Sequence, residues 1–322
     1  MKGYLASRLL TTLIIVGGAI ALLFALTLLV PGNLAATLLG PRATPEVIAA
    51  FNQRMGLERP VYERLVLFFG DVARGDLGTD IVSGRPILAM VWDVLPYTLA
   101  LAFSAMGLAA LLGIPLGAYA ALHPNTRGDR LLAIASVSVI AIPNFVIAVF
   151  LLLVFSLWLD WLPVLGAGKP GDLQDQLLHL ILPSITLALG WIGYLARLMR
   201  SSLLEVLGEP YIRTHRAFGL SERRVVYQYA LKNASPPALA TLGLGIGQLL
   251  GGAVFAEVVF ARPGIGKLIV DAIGTRNYPV VQGAVLVVVA LFVLTNLLVD
   301  LCYVWIDPRI RAQFNRWRGA QQ

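Results

Sequence analysis

The chain has 322 residues, a formal net charge of +7 and a composition shifted strongly toward apolar side chains. Apolar residues make up 58% of it and charged residues 13%, against about 45–50% and about 25% in soluble proteins. With a mean hydropathy of +0.78, these values exclude disordered and collagen-like chains and indicate an integral membrane protein. The single cysteine excludes a disulfide-stapled fold.

Six apolar runs are long enough to cross a bilayer, which takes about 20 mostly apolar residues in a helix. The runs lie at 9–30, 96–122, 131–159, 178–199, 237–260 and 280–306. The first run exceeds the apolar region of a signal peptide, about 7–15 residues, so we expect it to be retained. Pro143 falls inside the third run and predicts a kink there. The sequence therefore predicts an all-α membrane protein with six transmembrane helices.

The spans divide the chain into four predicted parts. Residues 1–30 form an N-terminal segment with the first span, and residues 31–95 form an outer loop. Residues 96–306 form a five-helix core that includes a polar loop at 200–233, and residues 307–322 form a tail.

The distribution of basic residues predicts which side each loop faces. Of the 25 Lys and Arg residues, 15 fall on the side of the two termini, whereas the acidic residues are mostly on the other side. Because cytoplasmic loops of membrane proteins are enriched in Lys and Arg, we expect both termini to be cytoplasmic. This topology accounts for the basic charge without a nucleic-acid partner.

The long outer loop carries two amphipathic patterns. Thr44 followed by Pro45 and Glu46 is typical of a helix start, and the stretch 61–72 predicts a second helix that ends at 74–78. We interpret this part as a small cap on the outer membrane face, with docking of an external partner as the alternative.

The polar segment 197–232 predicts two helices, 201–218 and 221–233. Gly219 between them suits a helix end that needs a positive φ, and Ser221 suits the cap of the next helix. A solvated connector would have this pattern, and so would a lever that another protein holds.

The segment from Glu209 to Arg224 resembles the cytoplasmic loop of peptide-type ABC importer permeases, the family of dipeptide, oligopeptide and nickel uptake systems. It reads E-P-Y-I-R-T-H-R-A-F-G-L-S-E-R-R. Further stretches resemble the same family in the same order, at 30–32, 74–78, 112–117, 257–260, 262–266, 277–283 and 307–311. The chain is most similar to the permease of the pair with the longer first outer loop. His215 and Phe218 depart from the family pattern.

This resemblance implies a type I ABC importer permease-like fold in the bacterial inner membrane. It implies a second homologous permease, two cytoplasmic ATP-binding subunits and a periplasmic or lipid-anchored solute-binding protein as partners. ATP and Mg would be bound by the ATP-binding subunits, with no cofactor in this chain. Transport would proceed by alternating access. Peptides are the expected substrates, and nickel complexes, opines or other small solutes are the alternatives.

The resemblance also marks 200–233 as the loop that couples the permease to its ATPase. The coupling candidates are Glu209, Tyr211, Arg213, Arg216, Phe218, Gly219, Leu220, Ser221, Arg224 and Val225. Exposed ion pairs contribute only about 0–1 kcal/mol each, so we expect Phe218, Leu220 and Val225 to supply most of the contact energy.

A second set of residues falls within the predicted spans. The candidates for the translocation path or a helix interface are Asn144, Gly243, Gly247, Gln248, Gly251 and Glu257. The three glycines recur every four residues, a spacing that lets helices approach closely. Glu257 and Asp300 are ionisable groups in apolar runs, so an ion-coupled secondary carrier that uses them is the alternative function.

Catalytic and metal-binding patterns do not appear in the sequence. The stretch 264–267 resembles a fragment of a phosphate loop, but it lacks the upstream glycine and Leu268 replaces Ser or Thr. The three histidines are scattered, with no metal-ligand spacing. We therefore predict a permease subunit rather than an enzyme.

Overall fold

The computed structural model describes residues 2–29, 44–46, 49, 53 and 59–306. This part of the chain is helical and contains no strand, only an isolated bridge between Thr79 and Pro86. It forms two compact units, one of Met1–Pro96 with Lys267–Leu291 and one of Tyr97–Gly266 with Phe292–Gln322.

Helices occupy most of the described residues. In chain order they are α1 Lys2–Leu29, α2 Val61–Ala73, α3 Ile87–Leu122, α4 Arg127–Ala141, α5 Asn144–Leu151, α6 Leu173–Leu207, α7 Pro210–Ala217, α8 Glu222–Arg224, α9 Leu231–Ala234, α10 Pro236–Gly252, α11 Val254–Val259, α12 Ile265–Gly274 and α13 Tyr278–Ile306. Two π-helical segments, Leu152–Trp158 and Val225–Ala230, continue α5 and α8.

Helices occur at all six predicted spans, but not all are single straight spans. Among the described residues, three helices are individually long and apolar enough to cross a membrane, and they are Ile87–Leu122, Leu173–Leu207 and Tyr278–Leu301. The first run lies in α1, and the fifth is divided between α10 and α11 at Ala253.

The third run, predicted as one kinked helix, is broken. Its two halves, Arg127–Ala141 and Asn144–Trp158, meet at 100°. Ile142 is extended at φ −84° and ψ 125°, the conformation that a following proline favours, and Pro143 starts the next helix. The position of the disturbance was predicted correctly, but its size was underestimated.

In the first unit, α1 packs against α2 through an aromatic contact between Phe24 and Phe68, with ring centroids 6.2 Å apart. The predicted helix at 61–72 is confirmed as α2, and residues 45, 46, 49 and 53 are helical, as the pattern at Thr44 indicates. The apolar residues that follow Thr44, at 47, 48, 51 and 55, lie outside the described residues. The loop after α2 is held by the buried Asp80, which accepts hydrogen bonds from Ser83 and Asn277.

In the second unit, glycines allow three helices to pack backbone to backbone. A Cβ at Gly113 of α3 would lie 2.9 Å from the Ile192 carbonyl oxygen of α6, and one at Gly193 would lie 2.9 Å from the Ser136 carbonyl oxygen of α4. A further apolar cluster joins α5, α6 and the C-terminal end of α11 through Ile147, Leu182 and Phe260, the residue that follows α11.

Candidate functional site

The first helix of the predicted coupling loop begins later in the chain than predicted, at Pro210 rather than at 201. Helix α6 continues to Leu207, so the predicted helix 201–218 is interrupted at Gly208. Helix α7 then starts with Pro210 at its first position, where a proline needs no hydrogen-bond partner for its nitrogen. The second helix of the loop is continuous through α8, the π-helical segment Val225–Ala230 and α9. We call residues 209–234, from the cap of α7 to the end of α9, the two-helix loop.

The turn between its helices has the predicted conformation. Gly219 has φ +77°, and its N–H donates to the Arg216 carbonyl at 2.9 Å. The N–H of Leu220 donates to the His215 carbonyl at 3.3 Å. Ser221 is the N-cap of α8, as predicted, although its side chain makes no capping hydrogen bond.

Three aromatic rings join the two helices. The His215 ring lies 4.1 Å from that of Tyr229 and 6.0 Å from that of Tyr211. Asn233 Nδ2 donates to the Tyr211 hydroxyl at 2.8 Å, which adds a polar contact between the same helices. The loop is therefore a compact body, and His215, which departs from the family pattern, lies at its centre. His215, Tyr229 and Asn233 were not among the predicted residues, although aromatic spacing along both helices was a usable signal.

An ion pair crosses the turn. Arg216 donates to both carboxylate oxygens of Glu222, from Nη2 at 2.6 Å and from Nε at 3.1 Å. The Arg216 guanidinium lowers the pKa of Glu222. Arg216 is thus already paired within the loop, and Arg213 and Arg224 are exposed.

The apolar residues of the loop fall into two classes. Val225 and Val226 are buried within this chain, so the prediction that Val225 packs against another protein is wrong. Phe218 has 81% of its surface exposed and Tyr227 has 68%, while Leu220 is half-buried. Among the coupling candidates, Phe218 is the large apolar side chain that the fold leaves uncovered.

We expect G219A to loosen the two-helix loop. A Cβ at this position would meet nothing within 4 Å, so the cost is that of the positive φ alone, about 1–2 kcal/mol for an L-residue. Faster amide hydrogen exchange across 209–234 would show it. G190A, within helix α6 and also without a neighbour within 4 Å, is the matched control and should leave exchange in the loop unchanged. Equal exchange in G219A and the parent would contradict the prediction.

Glu257, predicted as a path or interface residue, is completely buried and bonded. Thr98 Oγ1 donates to Glu257 Oε1 at 2.6 Å, and the same hydroxyl accepts the backbone N–H of Ile265 at 2.9 Å. The carboxylate also lies against Gly264 and Gly266, where it occupies the space that a Cβ would need. Because the amino end of α12 carries partial positive charge, this position stabilises a carboxylate.

The stretch that resembles a phosphate loop therefore has a different use in this chain. Gly264 makes room for the Glu257 side chain, and Gly266 makes room for Val254 and the same carboxylate. The turn closes with a hydrogen bond from Arg262 N–H to the Glu257 carbonyl at 2.8 Å. Arg262 is 3% exposed, and its Cζ lies 5.7 Å from the Tyr97 ring centroid. The sequence did not predict that Arg262 would be a buried part of this site. Glu257 is a positioning residue for this turn.

The other residues predicted for the translocation path or a helix interface fall into two groups, those at contacts between helices and those that are exposed. Gly243 faces Val299, and a Cβ at Gly247 would lie 3.3 Å from the Phe292 ring, so both glycines serve contacts between α10 and α13. Asn144, Gln248 and Gly251 are exposed, and no described contact brings them together with Glu257. Asp300 is half-buried on α13. The described residues hold no group of three His, Cys, Asp or Glu side chains able to bind a metal.

The chain matches the family of inner membrane components of binding-protein-dependent transport systems over residues 113–312. It is 38% identical to the dipeptide transport system permease DppB of Alkalihalophilus pseudofirmus, over 97% of this chain and 100% of that protein. It is 40% identical to the probable D,D-dipeptide transport system permease DdpB of Escherichia coli K12, over 92% and 94%. It is also 40% identical to the glutathione transport system permease GsiC of Salmonella paratyphi A, over 97% and 99%.

The fold is similar to that of a chain in the inward-facing MetNI methionine ABC transporter. The TM-score is 0.56 at 18% identity, over 69% of this chain and 98% of that one. The chain therefore belongs to the family of binding-protein-dependent transport permeases of the inner membrane, and it has the type I importer fold. It is a transmembrane permease subunit of a peptide-type ABC importer, and the reading as an ion-coupled carrier is not supported.

Proposed function

We propose that this permease moves peptides or similar small solutes into the bacterial cell by alternating access. A second homologous permease completes the membrane pathway, a periplasmic or lipid-anchored solute-binding protein delivers the substrate, and two cytoplasmic subunits bind ATP and Mg. The support for the substrate class is that relatives aligned over almost the whole chain are named for dipeptide, D,D-dipeptide and glutathione transport.

The two-helix loop is the part that receives the ATPase. The observation that carries this assignment is the exposure of Phe218 at the turn of a loop whose two helices are held together by the His215–Tyr229 contact. A rigid body transmits displacement to the helices on either side of it, α6 and α10, whereas a flexible connector would absorb the displacement. A large exposed apolar side chain beside exposed arginines is typical of a protein interface.

We expect F218A to reduce association with the ATP-binding subunits. Loss of an aromatic anchor from an interface costs about 2 kcal/mol or more, which corresponds to roughly 30-fold weaker binding. The measurement is co-purification of the ATPase with the tagged permease in mild detergent, followed by a binding titration.

The matched control is Y62A, which truncates an aromatic residue with 68% exposure on α2, in the predicted outer loop. Y62A should retain the ATPase. Equal retention by F218A and Y62A would remove Phe218 from the interface, and the absence of any ATPase from the parent preparation would contradict the proposed function itself.

A further inference from the structure

A partly buried ion pair connects α4 to α6. Arg200 Nε donates to Asp129 Oδ1 at 2.6 Å, and Arg200 Nη2 donates to Oδ2 at 2.8 Å, so the two side chains face each other as a fork. Asp129 is 4% exposed and the Arg200 side chain 31%. Two parallel charge-assisted hydrogen bonds fix direction as well as distance, which a single exposed contact does not.

The carboxylate is also fixed to the chain that precedes α4. Asn125, at φ +64°, donates its N–H to Asp129 Oδ2 at 2.9 Å, and Asp129 N–H donates to Thr126 Oγ1 at 3.3 Å. The Thr126 hydroxyl in turn donates to the His123 carbonyl at 2.8 Å. Asp129 thus joins the turn at 123–126, the first turn of α4 and the far end of α6.

A second contact between the same helices lies two turns away. Gly193 of α6 meets Ser136 of α4, and Arg200 meets Asp129, so the paired positions are seven residues apart on each helix and run in opposite directions. The glycine contact sets how closely α4 and α6 approach, but smooth backbone surfaces can slide past each other. The ion pair supplies the directional contact that fixes their register.

Arg200 also lies close to the two-helix loop. Helix α6 ends at Leu207, seven residues beyond Arg200, and the rise of a helix makes that separation about 10 Å. A displacement of the loop therefore reaches Arg200 along a short, continuous helix. On the other side of the pair, α4 continues to the 100° break before α5.

We propose that Asp129 and Arg200 are positioning residues that lock α4 to α6, so that displacement of the two-helix loop moves both helices together. The inference rests on the proposed function, because it assigns a route by which movement from the ATPase enters the membrane part of this chain. Without the lock, α6 moves while α4 lags, and ATP is hydrolysed without the matching transport step.

The test is the number of ATP molecules hydrolysed per substrate molecule transported, measured with the complete transporter in vesicles. D129N and R200Q should each raise this ratio roughly 2- to 30-fold, the range seen when residues that couple two sites are changed. The double variant D129N/R200Q should be no worse than either single variant, because both remove the same contact. R200K keeps the charge but loses the fork, so it should give a smaller increase.

The matched control is the exposed pair of Arg85 and Asp93, whose side chains are 55% and 60% exposed and 2.7 Å apart. R85Q should leave the ratio unchanged. A general loss of stability would lower ATP hydrolysis and transport in parallel and leave the ratio constant, and that result would overturn the proposal. An unchanged ratio in R200K and R200Q would overturn it as well. Failure of the parent complex to assemble or transport would instead contradict the proposed function.

Discussion

G117A should force α3 away from α6 and destabilise the protein. A Cβ on Gly117 would collide with the carbonyl oxygen of Ala196 and would lie 2.8 Å from Met199 Cβ. The first neighbour is backbone within a helix, so the collision is relieved only if one helix moves. Overpacking of this kind costs about 1–3 kcal/mol or more, which exceeds the gain of up to about 1 kcal/mol that alanine has over glycine in a helix.

The measurement is the midpoint of thermal unfolding in detergent, with G107A as the control. Gly107 lies on the same helix, and a Cβ there would meet nothing within 4 Å. G107A should therefore match or exceed the parent, while G117A falls below it. Equal midpoints for the two variants would show that α3 and α6 tolerate a wider separation than the structure has.

G264A and E257A should each be strongly destabilising, and together less so than the sum of the two. A Cβ on Gly264 would occupy the position of the Glu257 carboxylate, which is fully buried and has no room to move. E257A removes a fully buried carboxylate that stabilises the turn, and loss of one partner from a buried charged contact costs about 3–5 kcal/mol. In the double variant the alanine at 264 enters the vacated space.

The thermodynamic double-mutant cycle measures this relation directly. We expect the double variant to be about 0.5–3 kcal/mol more stable than the sum of the two single effects predicts, because the two side chains compete for one volume. E257Q, which keeps the shape and the oxygen that accepts from Thr98, should be the mildest of the Glu257 variants. Additive effects of E257A and G264A would contradict the contact.

The sequence was informative wherever one local pattern determines the outcome. Long apolar runs predicted the positions of the membrane helices, because a spanning segment has to be apolar over its whole length. The turn at Gly219 was predictable because only glycine adopts a positive φ without cost. Phe218 was a coupling candidate because of its place in the predicted loop, and its side chain is exposed at the turn.

The remaining features depend on residues that are far apart in the chain. The contact between Thr98 and Glu257 spans 159 positions, and the contact between Asp129 and Arg200 spans 71. No local sequence pattern predicts contacts over such separations. The burial of Val225 was missed because an apolar stripe on a polar loop fits an interface within the chain as well as one with a partner. The size of the bend at Pro143 was missed because it depends on what the two halves pack against.

That bend has a consequence for the order in which the chain assembles as it is made. Helices α4 and α5 both pack against α6, which is synthesised after them, so the surface that holds their angle does not yet exist when they leave the ribosome. We therefore expect the bend in 131–159 to take its final geometry only after α6 has packed against both of its halves.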